Sequence, residues 1–160
     1  MSYLLIQFTL AVFATFGFAI IFRVPVRHLP ACVVTGGLGW IAYIITVHYF
    51  ESPVMGCFIG ACVVGLMSTL DSYLFKEANT IFIIPGILCL VPGSNIFYTM
   101  EALLLKDTGE ATSIGLQTLL MAGAIAMGLL VVGSIFATSR SVKRRAGAFR
   151  DWIAEIKMKD

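Results

Sequence analysis

Residues 83–95 read IIPGILCLVPGSN, two Pro-Gly pairs followed by Ser-Asn inside a run that is apolar from residue 81 to 105. A run of that length can cross a hydrocarbon core, which takes ~20 residues at helical rise. Helix breakers in lipid would leave backbone groups unsatisfied, so they are tolerated only where protein or water covers them. Pro85 cannot bond the carbonyl of Ile81, nor Pro92 that of Leu88, and Pro92 also pushes Val91 away from helical dihedrals. The prolines are seven residues apart, about two turns or ~10 Å along a helix axis, so both freed carbonyls fall on nearly one face. Gly86 and Gly93 remove side-chain bulk beside each proline. Ser94 and Asn95 are favoured N-cap types, and this spacing predicts a second half-helix starting near the middle of the run. Tyr98, one turn beyond Ser94, brings a hydroxyl to the same face. Half-helices whose N-terminal amides meet an anionic group at mid-membrane recur in transporters. Pro92, Gly93, Ser94, Asn95 and Tyr98 are therefore candidate substrate-binding residues, with Pro85 and Gly86 a helix break. The plainer alternative is a kinked helix whose prolines shape packing.

The rest of the chain supplies the membrane. Of 160 residues, 59% are hydrophobic and only 12% charged, with a mean hydropathy of +0.93, more than one soluble core can hide. Five apolar runs reach spanning length, at 3–22, 31–50, 54–74, 81–105 and 111–138. The first has no Lys or Arg before it and exceeds a signal-peptide core, so it is expected to be retained as a span. The expected fold class is an all-α integral membrane protein: a five-helix transmembrane domain at 1–139, then a basic amphipathic tail at 140–160. Ten of the eleven basic residues fall on one side of such a topology, with Lys106 alone on the other. Positive charge is retained inside, which puts the N-terminus outside and the C-terminus in the cytoplasm of a multi-pass protein of the cell (plasma or inner) membrane. The tail places Val142, Ala146, Phe149, Ile153 and Ile156 at helical spacing among Arg and Lys, suited to an anionic lipid leaflet and not to nucleic acid.

Two carboxylates are candidates for proton coupling: Asp71, near the inner end of span three with Ser68 a turn before it, and Glu101, beyond the break in span four. Each has a plainer reading, Asp71 as a shallow group reaching interfacial water and Glu101 as a residue facing outer-side water. Gly56 with Gly60, and Ala61 with Gly65, give small-residue spacing for close helix packing, subunit interfaces included. Trp40 reads as a packing aromatic. His28 and His48 read as interfacial, and Cys32, Cys57, Cys62 and Cys89 as small apolar packing residues without metal-site spacing.

The proline-glycine spacing with Tyr98 and Met100, joined to FAIIFRVPVRHLP at 18–30, resembles the threonine/serine exporter family, small-subunit type. The resemblance covers most of the chain, and Ser94-Asn95 falls where the family is expected to vary. It implies a small subunit working with a larger membrane subunit, some members fusing both halves in one chain. It also implies a cargo of threonine, serine or related small metabolites, with small dicarboxylates (succinate-like) for some relatives. An odd number of spans agrees with an inverted partner half, and homo-oligomers remain a further option. No nucleotide-binding loop is present, so export would draw on a gradient. A non-transporting membrane scaffold is the alternative from another class. An intramembrane enzyme is disfavoured, since no H-E-x-x-H, G-x-S-x-G or paired aspartates appear, and no cofactor or metal is expected.

Overall fold

A computed structural model describes the backbone of residues 2–157 and the side chains of residues 4–136. Helix α1 (Ser2–Ile21) leads through a 3₁₀ turn (Val26–His28) into α2 (Leu29–Phe50), followed by α3 (Pro53–Phe75), α4 (Thr80–Leu88), α5 (Gly93–Leu104) and α6 (Thr108–Lys157). Among the described residues every regular element is helical.

Local chemistry sets the starts and stops. Pro30 and Pro53 occupy the first turns of α2 and α3, where a missing N–H costs nothing. The Ser52 side chain accepts from the Met55 amide, and the Asp107 carboxylate accepts from the Glu110 amide at 3.0 Å to cap α6. Four turns bend through charged residues with left-handed backbone, Arg23, Glu51, Lys76 and Lys106, at φ between 51° and 61°. That conformation usually belongs to glycine. Charged side chains there keep the turns at the polar edge of the bundle.

Four helices, α1, α2, α3 and the first part of α6, are long and apolar enough to cross a membrane. The pair α4 and α5 meets the same test together, bent by 49° across residues 89–92, and makes a fifth crossing if counted as one broken span. Helix α3 is the centre, packed between α2 and α6; α4 lies over α1, α2 and α3, whereas α5 leans on α6. Small residues permit this. Gly56 faces Tyr43 and Val47 of α2, and a Cβ on Gly128 of α6 would stand 2.7 Å from the Phe58 carbonyl and 3.0 Å from Ala61 Cβ. Both small-residue pairs of α3 are thus consumed inside the chain, one on α2 and the other on α6, instead of at a subunit interface.

Helix α6 runs unbroken from Thr108 through Lys157, so the basic segment continues the last apolar helix. The apolar face expected at Val142, Ala146, Phe149, Ile153 and Ile156 lies outside the described side chains.

Candidate functional site: the broken helix and the buried Asp71

The two prolines act differently. Pro85 is buried inside α4, which continues through it, so the helix does not break at Pro85-Gly86 as expected. The carbonyl that Pro85 cannot reach, on Ile81, instead receives the Cys32 thiol of α2 at 3.5 Å. Proline's packed ring and one substitute donor let the helix pass. The break falls at residues 89–92, and there too the backbone is mostly satisfied. Leu88 O accepts from Val91 N at 3.3 Å and Pro92 O from Ile96 N at 3.2 Å. Cys57 of α3 points its thiol at Leu90 O at 3.9 Å. Cys89 itself lies 3.1 Å from Thr15 Oγ1 and donates to Ala11 O of α1 at 3.8 Å. With Cys62 donating to Gly128 O at 3.7 Å, all four thiols reach a carbonyl on another segment. They are weak donors, yet in a bilayer they replace water.

Most carbonyls at the break are therefore already taken within the chain, and the amides at the start of α5 are a separate matter. Pro92, buried, is the N-cap, and no side chain caps the helix. Ser94 and Asn95 lie in the first turn, not at the cap, because Pro92 already holds non-helical dihedrals with ψ at 62°. Gly93 and Ser94 are exposed, and a Cβ on Gly93 would meet nothing within 4 Å. Asn95 turns towards α6, its amide 3.6 Å from Met121 Sδ. Thr99 and the buried Ala102 follow on that α6-facing side. Ser94, Tyr98 (53% exposed) and Glu101 form a separate stripe about a quarter-turn round the helix, and all three are exposed. The site expected around the break is thus divided: Pro92 is enclosed, Asn95 packs on α6, and Ser94, Tyr98 and Glu101 face outward.

Asp71 differs from its expected place. Instead of meeting interfacial water it is 9% exposed, and Thr35 Oγ1 of α2 donates to its Oδ2 at 2.8 Å. Ser68, one turn before on α3, is fully buried and its hydroxyl has no partner. Nearby at the same end of the bundle His28 is also buried, against Phe75 and Phe82 at ring distances of 5.0 and 5.7 Å, with Nε2 3.8 Å from Glu77 Oε1. His48 is exposed, as an interfacial residue would be. Thr35 could not be singled out from sequence, since a threonine inside an apolar run is usually bonded to its own helix.

Trp40 does more than pack. Its indole N–H donates to Gln7 Oε1 of α1 at 3.2 Å and its ring stacks on Tyr43. Gln7 and Trp40 together wall two adjoining clefts of about 400 and 300 Å³ between α1 and α2, the larger floored by Leu88 and Cys89 at the break. Gln7, a polar residue inside an apolar run, was the available signal.

A family model described as "Threonine/Serine exporter, ThrE" matches residues 7–135. A Haemophilus influenzae protein named only as uncharacterized is 25% identical over 147 residues, a match covering 87% of this chain and 50% of that protein. The chain therefore spans about half the length of the curated relative it matches. No solved structure matches it. This multi-pass membrane protein belongs to the threonine/serine exporter family.

Proposed function

We propose that the chain is one membrane subunit of a secondary transporter that exports threonine, serine or a related small carboxylate, working with a larger membrane subunit. One observation carries the cargo part. Helix α5 opens without a side-chain cap, and beside that end lies the exposed stripe Ser94, Tyr98, Glu101. Uncapped amides and the positive end of a helix dipole suit a carboxylate, and hydroxyls suit the rest of a hydroxy amino acid. Polar groups at such depth do not face lipid without cost. We assign them to a path shared with the partner, whose existence is supported by a relative of which this chain matches 50%. The orientation with the N-terminus outside belongs to the same reading and is supported by the positive-inside bias; the His28–Glu77 contact is consistent with the first and third loops sharing one side.

The test is efflux of preloaded labelled threonine from cells lacking their own exporters, with the chain expressed alone and with its larger subunit. Efflux only with both is expected. No threonine or serine efflux from either arrangement, with both chains in the membrane, would overturn the amino-acid assignment.

A further inference from the structure

We propose that Asp71 is the site where this chain binds a proton, with Thr35 serving the ionised carboxylate and Ser68 the protonated carboxyl. Asp71 is buried between α2 and α3, and among the described residues no Lys, Arg or His is paired with it. A carboxylate offers about four lone-pair sites, and one hydroxyl, Thr35, fills one of them. A buried charge so sparsely compensated needs a cation or a proton. Ser68 completes the site for a proton. Its oxygen is fully buried, a turn away on the same helix, and unpartnered. Buried hydroxyls without partners are uncommon; Ser68 makes no hydrogen bond to Asp71 here, and in the proposal a protonated carboxyl turned towards it would give it one.

Few groups surround it that carry charge or titrate. From α2, Cys32 lies within electrostatic reach. Helix α4 has no ionisable side chain. Among the described side chains of α6, which end at residue 136, the ionisable one is Glu110, at the opposite end. On α3 itself the others are Cys57, Cys62 and Tyr73, and beyond its end come Lys76 and Glu77, the latter facing His28.

The step is a proton transfer alone. A hydronium ion gives its proton to a carboxylate oxygen of Asp71, one O–H bond breaking as another forms and neutral water remaining, and the new hydroxyl turns to Ser68 while Thr35 loses the charge that held its own hydrogen bond. The α2–α3 tie weakens there. Gly86 of α4 packs on Thr35, where a Cβ would lie 3.3 Å from Thr35 Cγ2, so the change is felt by the broken span. That this proton drives cargo movement rests on the exporter reading; the proton site itself does not.

Infrared difference spectra of the purified full-length chain, taken between alkaline and acid pH, test the site directly. A protonated-carboxyl band is expected in the native chain and in Glu101→Gln. The component of that band due to Asp71, one of nine Asp and Glu, should be missing from Asp71→Asn and shifted in Ser68→Ala, a mild change that keeps the test decisive should Asp71→Asn fail to fold. A band that ignores both variants would overturn the proposal. So would an Asp71 carboxylate signal that responds to sodium at constant pH. Threonine efflux measured in parallel separates the two ideas. Absent efflux with an intact Asp71 band defeats the exporter reading alone, whereas efflux through Asp71→Asn with undiminished dependence on the proton gradient defeats the coupling role.

Discussion

Leu90, from the break, is wedged against Gly60 of α3 so closely that a methyl group on Gly60 would overlap its Cδ2. Beside it, a Cβ on Gly39 of α2 would lie 3.5 Å from the other methyl of the same leucine, Cδ1. The broken span is thus held by its own leucine in a slot cut by two glycines. Gly39 is halfway along α2, so the slot and the break sit near mid-bundle.

Replacing Gly60 by Ala would push Leu90 aside and bring the new methyl to 3.1 Å from the Gly39 carbonyl. Overpacking of this kind costs about 1–3 kcal/mol. Leu90→Ala in the same chain should recover part of the loss, because the two residues share one space. Thermal unfolding in detergent of both single variants and the double variant measures the coupling; strict additivity would show that Leu90 does not occupy the slot.

Gly128 faces a neighbour that cannot turn aside, the backbone oxygen of Phe58 at 2.7 Å from a built Cβ. Gly128→Ala should destabilise more than Gly60→Ala, by forcing α3 and α6 apart. Gly123→Ala on the same helix meets nothing within 4 Å and should be neutral or stabilising by up to about 1 kcal/mol. Equal unfolding temperatures for Gly128→Ala and Gly123→Ala would contradict the α3–α6 packing.

Cys32 is fully buried and supplies the donor that Pro85 lacks. Cys32→Ser keeps a donor and should be tolerated better than Cys32→Ala, which leaves the Ile81 carbonyl without that partner and a small void. The expected gap is about 1 kcal/mol, the scale of one net hydrogen bond. Unfolding in detergent decides it, and a Ser variant less stable than the Ala variant would refute the donor role.

At the same end of the bundle, His28 separates ring packing from charge. Its ring is buried edge-on against the stacked pair Phe75 and Phe82, while its partner Glu77 is 47% exposed. A half-exposed pair at 3.8 Å contributes roughly 0–1 kcal/mol, so Glu77→Ala should change stability little. His28→Ala removes a packed ring and should cost on the order of 2–4 kcal/mol. Comparable losses in the two variants would mean that the ion pair holds this end.

The helices were legible because ~20-residue apolar runs and Pro, Ser and Asp starts are local signals. The break was legible only in part. Pro85 and Pro92 look alike in sequence, but Pro85 lies in a helix whose lost bond is covered by Cys32, a residue 49 positions from Ile81. The same holds for Asp71: its depth along α3 can be counted, but its burial depends on where α2 places Thr35. Cysteines read as apolar fillers because a thiol's choice of acceptor is tertiary information.

The account stands or falls on whether the Ser94–Tyr98–Glu101 stripe meets water and cargo or lipid. The direct measurement is labelling of Ser94→Cys and Tyr98→Cys by a membrane-impermeant maleimide, in the chain coexpressed with its larger subunit, with and without threonine. Labelling at both positions that threonine slows is the predicted result. Positions that stay unlabelled, or that label identically with and without threonine and serine, would place the stripe outside the cargo path and contradict the proposed function.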